Sequence, residues 1–217
     1  SQGVRYAAEI RETEFTLRQA MRTPAYWLLI IANSIHGLAM PVMSIHAIPF
    51  LTDIGIDPIK AAGMMAMYVA ASIPFRFIGG VFADRLRIDR LRFLIGGAYL
   101  LQAFGFAVFL MSRTVPMIYV WFILYGIGMG LAFTMSPMRG RYFGRKAFGS
   151  IQGTSMMFTT PLGVVAPIYA GWVYDTTGSY VTAFTWVTIL LAFAAVLMCL
   201  IAPPRPPTEV TDIRKFL

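Results

Sequence analysis

Arg76 is the residue whose chemistry most needs explaining, because the run from Ala61 to Ala83 contains no other charged side chain. A guanidinium offers five N–H donors in a rigid fork and binds a carboxylate through two parallel, charge-assisted hydrogen bonds. Asp84, the acidic residue nearest to it in the sequence, lies about 12 Å away along a helix axis that rises about 1.5 Å per residue. Arg76 is therefore a candidate for binding the carboxylate of a ligand.

The residues around Arg76 extend this candidate site along one face of a helix. At about 3.6 residues per turn, Tyr68, Ser72, Arg76 and Gly80 form one stripe of small or polar side chains. Pro74 removes a hydrogen-bond donor from the same helix and leaves one carbonyl without its usual partner. We interpret the stripe as the wall of a polar pathway.

A second group of candidates lies in the other apolar runs. His36 shares a helical face with Asn33, and a binding role, a proton relay or hydrogen-bonded packing all fit a single histidine there. Tyr125 and Ser155 are further candidates for the pathway wall, as is Gln152. The glycines of the YGIGMG segment lack the strand-turn-helix context of a nucleotide-binding loop, so we expect them to allow close helix packing.

Membrane helices are the elements that must position these residues. Hydrophobic residues make up 58% of the 217 residues and charged residues 13%, whereas about a quarter of the residues of a soluble domain are charged. Six apolar stretches are long enough to cross about 30 Å of hydrocarbon, at about 26–50, 61–83, 93–111, 117–138, 149–173 and 181–202. They lack the alternation of barrel strands. We therefore predict an all-α, polytopic membrane protein, with a cytoplasmic linker and interfacial helix at 1–25 and a cytoplasmic tail at 203–217.

The basic residues indicate how these helices cross the membrane. The net charge is +8, but fifteen of the 18 Lys and Arg residues fall on one side: before the first span, after the sixth, or between spans two and three and spans four and five. Arg139 is one of those between spans four and five. Only Lys60 and Arg113 lie in the opposite connections, which leaves Arg76 as the single basic residue within a predicted span. The positive-inside rule then predicts cytoplasmic termini, in a plasma or bacterial inner membrane, and it accounts for the charge without nucleic acid.

A pattern repeats at an offset of 91 residues. This offset aligns the first span with the fourth, Gly80 with Gly171 and Asp84 with Asp175. Because each repeat has three spans, the copies face opposite ways across the membrane, as in the inverted repeats of secondary transporters. Prolines or clustered glycines interrupt spans one, two, four and five, whereas spans three and six contain no proline. We expect the four interrupted spans to line a cavity.

The segment GVFADRLRIDRLR resembles the cytoplasmic loop signature of the major facilitator superfamily, in which a glycine, an aspartate four residues later and a basic run lock neighbouring helices. The resemblance implies a conformational latch at Gly80, Asp84 and Arg85. LRQAMRTPAYWLL, PFRFIGGVFADR and PLGVVAPIYAGWVYDTTGSYVTAF are similar to the C-terminal half of monocarboxylate transporters and oxalate/formate antiporters, over about residues 15–203. In those families an arginine in the second helix of this half contacts the substrate carboxylate, and Arg76 has that place.

Two positions differ from these families, and both bear on the substrate. Proton-coupled carriers that resemble this chain often have an aspartate where it has Ser72, so any coupled proton must use another group. Oxalate carriers have a lysine in the fifth span of this half, and this chain has none there. The resemblance therefore implies half of a secondary active transporter that carries small monocarboxylates by alternating access. Its expected partners are the substrate, a coupled proton or counter-anion, an N-terminal six-helix half and the lipid bilayer.

Other hypotheses stay open. A complete six-helix protein that dimerises into a carrier or channel fits the same topology. An intramembrane enzyme or a haem or quinone protein fits less well, because His36 and His46 lie in one span and no acidic residue lies within any predicted span. Arg76 could instead reach the cytoplasmic surface or pair with Asp84 or another helix. The sequence predicts no cofactor, no metal site and no catalytic residue.

Overall fold

The computed structural model describes residues 14–111 and 114–205 of the chain. Its helices, numbered in chain order, are α1 (Leu17–Ala20), α2 (Pro24–Asp53), α3 (Pro58–Arg85), α4 (Leu91–Met111), α5 (Val115–Ala132), α6 (Met135–Phe143), α7 (Phe148–Thr177) and α8 (Val181–Leu200). Six helical stretches are long and apolar enough to cross a membrane, with α5 and α6 together making the fourth, and they confirm the predicted all-α architecture. Most of the predicted linker and tail lies outside the described residues.

Capping residues explain where the first helices begin. The Thr16 side chain accepts a hydrogen bond from the Gln19 N–H, and the Gln19 side chain accepts one from the Thr16 N–H, which forms a capping box at the start of α1. Thr23 accepts from the N–H of Tyr26 ahead of α2, and Asp57 accepts from two N–H groups ahead of α3. A proline follows each of these two caps at the first helical position, where its missing N–H costs no helical hydrogen bond.

The fourth span is broken, although the sequence predicts one helix over 117–138. α5 ends, the chain turns at Phe133 and Thr134, and α6 follows. Pro137 supplies the physical reason, because it has no N–H to donate to the carbonyl of Phe133 four residues earlier. Helical structure continues past the predicted end of the span, so Arg139 lies on α6 rather than in a loop.

The six spans form two repeats of three. α5 begins 91 residues after α2, α7 begins 90 after α3, and α8 begins 90 after α4, in agreement with the predicted offset. The packing is symmetric under exchange of the repeats: α2 packs on α7, α3 packs on α5, and α4 packs on α8. The pairs α4 with α5 and α8 with α2 are exchanged by the same relation. The prediction of two three-helix repeats is therefore confirmed.

The glycines of α5 explain how closely its neighbours pack. A Cβ atom at Gly126 or Gly130 would lie 2.4 Å from a backbone carbonyl oxygen of α3, at Tyr68 and Ser72 respectively. A Cβ atom at Gly128 would lie 2.6 Å from a carbonyl oxygen of α4. Side chains cannot approach so closely, which confirms that these glycines serve helix packing. The face of α3 that carries Tyr68 and Ser72 is therefore pressed against α5.

The spans differ in how much of their surface the rest of the fold covers. In the most apolar 18-residue stretch of α3 and of α7, 17% of the residues are buried, against 39–50% in the other four spans. Large apolar side chains such as Phe77 on α3 and Trp172 on α7 are exposed. Because α3 and α7 are the second helices of the two repeats, the same position in each repeat leaves an open side.

Candidate functional site

A polar cavity of about 580 Å³ opens between α2, α5, α6 and α7. Four residues proposed from sequence, Asn33, His36, Gln152 and Ser155, line it together. Its polar lining residues in full are Asn33, His36, Ser136, Arg139, Gln152, Ser155, Thr159 and Thr160. No acidic side chain of residues 14–111 or 114–205 contributes to the wall. The cavity therefore combines hydrogen-bond donors with a positive charge, and this combination suits an anion.

Arg139 is the charged group of this cavity and is only 4% exposed. Its Nη1 donates to Oε1 of Gln152, and its Nη2 donates to Oγ of Ser155 at 3.2 Å. Its Nε is buried and has no hydrogen-bond partner in the described part of the chain. The ion pairs found among the described residues do not include it. The side chain is thus held in place by neutral groups, and the described part of the chain places no counter-charge beside it.

Two interpretations of the basic residues are wrong at Arg139. This residue is not a loop cation, and Arg76 is not the single arginine within a span, because the fourth span continues through α6. The sequence does contain a signal for the burial: Met135, Met138, Arg139 and Tyr142 share one face of a helix, and all four are buried. The neighbouring cluster of loop cations obscures that periodicity in the sequence.

The two histidines are held by hydrogen bonds in different places. His36 stacks on the ring of Tyr99, with ring centroids 4.3 Å apart, and its Nε2 accepts from the amide of Gln102 at 3.2 Å. It contacts the cavity from this fixed position, so a role in binding or proton relay stays a prediction. His46 is buried farther along α2 and donates from Nε2 to the carbonyl of Pro167 at 2.9 Å, which joins α2 to α7.

Arg76 lies beside the cavity, on the exposed side of α3. Its Cζ is 4.0 Å from the centroid of the Phe133 ring, in a cation–π contact. Its Nη2 reaches Oγ of Ser72 at 3.5 Å, the outer limit of a hydrogen bond, and that hydroxyl donates to the carbonyl of Val69 at 2.8 Å. No ion pair to Arg76 forms within the described ranges. Phe133 also lines the cavity, so one ring borders both Arg76 and the cavity that contains Arg139.

Tyr68 and Tyr125 lie in the helix core rather than on the cavity wall. Their ring centroids are 5.8 Å apart, and Tyr125 is fully buried against Phe106 as well. In the predicted stripe on α3, the turn that carries Tyr68 and Ser72 packs against α5, because the glycines of α5 admit it, whereas Arg76 is exposed. A substrate-binding role for the two tyrosines stays a prediction.

The proposed latch residues lie at the end of α3. A Cβ atom added at Gly80 would have no neighbouring atom within 4 Å, and Asp84 and Arg85 are exposed. The end of α3 is tied to α6 by Arg141, whose Nη1 and Nη2 donate to backbone carbonyls of Ala83 at 2.7 Å and Leu86 at 3.0 Å. The latch role of Gly80, Asp84 and Arg85 stays a prediction.

Comparison with known proteins identifies the fold. The family model described as Major Facilitator Superfamily matches residues 25–216. The chain belongs to this superfamily. Major facilitator relatives include the uncharacterized transporter YycB of Bacillus subtilis (strain 168), which is 30% identical over 149 residues, or 66% of this chain and 35% of its own length. Monocarboxylate transporter 12 of Mus musculus is 24% identical over 156 residues, or 71% of this chain and 32% of its own length.

These relatives also limit what the superfamily assignment shows about the chain. The chain spans about a third of the length of the two relatives, and it has six helices able to cross a membrane. Both relatives carry the name of transporters rather than enzymes. This major facilitator chain is therefore a multi-pass membrane protein of a transporter family.

Proposed function

We propose that this chain forms the C-terminal half of a secondary active transporter that carries small organic anions, chiefly monocarboxylates, by alternating access. The observation that carries the proposal is Arg76, an exposed guanidinium in the middle of a membrane-spanning helix with no acidic partner among the described residues. Its cost at the centre of a bilayer, from about 3 to above 10 kcal/mol by different methods, is met where the side chain faces a wet cavity or a counter-charge.

The surroundings of Arg76 favour a ligand as the source of that counter-charge. The Phe133 ring supports one face of the guanidinium, and Ser72 contacts only one of its N–H groups. The remaining donors of the fork are available to a carboxylate, which accepts two parallel bonds from it. Asp84 remains a full two turns away on the same helix, and no ion pair joins them. A structural ion pair of Arg76 with Asp84 or with another helix is therefore not formed in the described part of the protein.

Monocarboxylates are the favoured substrates for reasons that come from both sequence and relatives. The fifth span carries no lysine, which resembles the monocarboxylate carriers more than the oxalate carriers. A monocarboxylate transporter of Mus musculus is among the relatives. Since Ser72 replaces an aspartate found in proton-coupled carriers, the coupled species is a counter-anion or a proton held by another group.

An N-terminal half would complete the pathway. The relatives are about three times as long as the matched segment, and α3 and α7 each leave one side uncovered. A second six-helix unit that packs along these helices would enclose Arg76 and the polar cavity. The basic residues of the loops and ends support cytoplasmic termini, since removing Arg139 from that group leaves its asymmetry intact.

Uptake by the full-length protein in proteoliposomes tests the proposal. We expect accumulation of labelled lactate, pyruvate or formate, and weaker accumulation of oxalate. Arg76→Ala removes two charge-assisted bonds and should lower uptake about a hundredfold or more, whereas Arg76→Lys keeps the charge and should retain part of it. Unchanged uptake in Arg76→Ala would contradict the assignment.

A matched control separates substrate contact from general loss of positive charge. Arg205 is an exposed arginine after the end of α8, and Arg205→Ala should transport at the wild-type rate. A coding sequence that starts directly before this segment would favour a dimer of six-helix chains over the half-transporter. Six further spans upstream would support the half-transporter.

A further inference from the structure

Arg139 carries a positive charge that no described side chain neutralises. A buried charge is strongly unfavourable unless a counter-charge or a full set of hydrogen bonds compensates for it. Gln152 and Ser155 accept from Nη1 and Nη2, but both are neutral, and the buried Nε has no partner among the described residues. The guanidinium is thus fixed in direction and still able to donate to an anion.

The cavity around Arg139 has the size and the donors for a small organic acid. Its volume of about 580 Å³ lies within the range of about 300–1,000 Å³ that is typical of small-molecule sites. The Asn33 amide and the Thr159 hydroxyl line the same space. No described acidic side chain lines it, so an anion that enters meets no like charge from this part of the chain.

Arg139 is separate from the contact proposed at Arg76. Arg76 is exposed on α3 and does not line the cavity, whereas Arg139 is 4% exposed on α6. Phe133 lies between the two environments, since its ring contacts the Arg76 guanidinium at 4.0 Å and also lines the cavity. A carboxylate at Arg139 therefore occupies a different position from one at Arg76.

We propose that the cavity around Arg139 is a second carboxylate-binding site, which takes the anionic group of a small organic acid. Arg139 supplies the positive charge, Gln152 and Ser155 hold it in position, and the Asn33 amide donates to the remaining oxygen. The inference rests on the proposed function, because it gives the same class of ligand a second contact. This half would then have a second binding cation, Arg139, which the sequence places outside the predicted spans.

Equilibrium binding of labelled lactate and oxalate to the purified full-length protein provides the first test. Arg139→Gln should raise the Kd about tenfold to a hundredfold, because a charge-assisted pair is lost. Arg139→Lys should retain part of the affinity. The control is Lys146→Gln, which removes an exposed cation from the loop between α6 and α7, and its Kd should stay within about twofold of the wild type.

Chemical protection provides a test that does not disturb Arg139. In a Cys199→Ala background, Thr159→Cys introduces a thiol into the cavity wall, and the anionic reagent sulfonatoethyl methanethiosulfonate modifies it. Bound lactate should slow this modification several-fold. Met157→Cys lies on the same helix but outside the cavity, on an exposed side, and lactate should leave its modification rate unchanged.

The outcomes distinguish this inference from the proposed function. Wild-type affinity in a folded Arg139→Gln protein, or no protection at position 159, would show that Arg139 is a structural cation paired with another part of the full-length protein. If Arg76→Ala loses binding while Arg139→Gln does not, only the second site is overturned. If the wild type binds none of the carboxylates, the proposed function fails together with it.

Discussion

Arg76 and Arg139 are two arginines in membrane-spanning helices that lack a described acidic partner, and they differ in exposure and in the number of hydrogen bonds that hold them. Arg76 is exposed, stacks on one ring and makes one long hydrogen bond. Arg139 is buried and donates to two side chains of α7. One guanidinium is free to meet a partner that arrives from outside this half, and the other is already oriented toward a cavity within it.

This difference determines how much conformational freedom each arginine side chain loses when an anion binds. A side chain that is already fixed loses little conformational freedom on binding, whereas a mobile one must be ordered at that moment. Arg139, which donates to two side chains, is close to the fixed case, whereas Arg76, which is exposed and makes one long hydrogen bond, is held by fewer contacts. The unfavourable free energy of burying the Arg139 guanidinium beside neutral groups is already part of the folding free energy, so it does not arise again when an anion binds.

The largest expected effect comes from displacing α3, the helix that carries Arg76, from its close contact with α5. Gly130→Ala places a Cβ atom 2.4 Å from the carbonyl oxygen of Ser72, so the backbone of α3 or α5 must shift. We expect a loss of up to about 3 kcal/mol of unfolding free energy, measured by tryptophan fluorescence in detergent, because overpacking displaces whole helices. Gly80→Ala is the control, since nothing lies within 4 Å of its Cβ position, and it should be neutral or slightly stabilising. Equal stability of the two variants would contradict the close packing.

The next effect is a stabilisation at Arg139 that has no counterpart at Arg76. Arg139→Met should stabilise the ligand-free protein by about 1–2 kcal/mol, because the buried charge disappears and its loss outweighs the bonds to Gln152 and Ser155. Arg76→Met should change the unfolding free energy by less than about 0.5 kcal/mol, because Arg76 is exposed. Thermal unfolding of both variants in the same detergent measures the difference. Destabilisation by Arg139→Met would mean that Arg139 serves the fold instead.

A carboxylate built into the cavity should occupy the place of the ligand. Gln152→Glu puts a negative charge beside Nη1 of Arg139, at the contact that the amide oxygen now makes. We expect the KM for lactate uptake to rise about tenfold, because the internal carboxylate competes for the guanidinium. Ser155→Ala removes one neutral acceptor without adding charge and should raise the KM by less. An unchanged KM in Gln152→Glu would separate Arg139 from transport.

The smallest expected effect is at the ring shared by the two sites. Phe133→Leu removes the aromatic face under Arg76, where a cation–π contact at an exposed position contributes about 0.5–1 kcal/mol. The KM for uptake should rise about twofold to fivefold, and Phe133→Trp should restore it. A loss as large as that of Arg76→Ala would indicate that the ring does more than support one guanidinium.

The sequence contains most of the fold and about half of the candidate site. Hydrophobic length, prolines and the 91-residue offset depend on local composition, so the six spans and their two repeats follow from it. Asn33, His36 and Ser155 lie together because they occupy the interrupted helices. The role of Tyr68 stays a prediction, because helical periodicity tells which residues share a face of a helix but not which neighbouring helix that face meets. The glycines of α5 decide that question, and they act across the repeat boundary.

Arg139 shows a second limit of sequence analysis. Three further basic residues, Arg141, Arg145 and Lys146, follow it closely, and a proline precedes it. Both features are typical of a span that has ended. Its burial depends on α6 continuing past the break and on two acceptors from α7 that are 13 and 16 residues away in the chain. Contacts at that separation depend on the tertiary structure.

The two repeats exchange their helices but not their charges. An offset of 91 residues carries Arg76 onto Pro167, whose carbonyl is bound by His46, and carries Arg139 back onto Ile48. Neither equivalent position has a cation. The helices of the two repeats therefore pack in the same way, but their charges are distributed differently. A carrier that opens to alternate sides by exchanging the shapes of its repeats would have nearly equal energies for the empty frame in both states. A bound anion would lower the energy of the state in which the two guanidiniums lie nearest to the anion. The loaded carrier would therefore spend more time in that state.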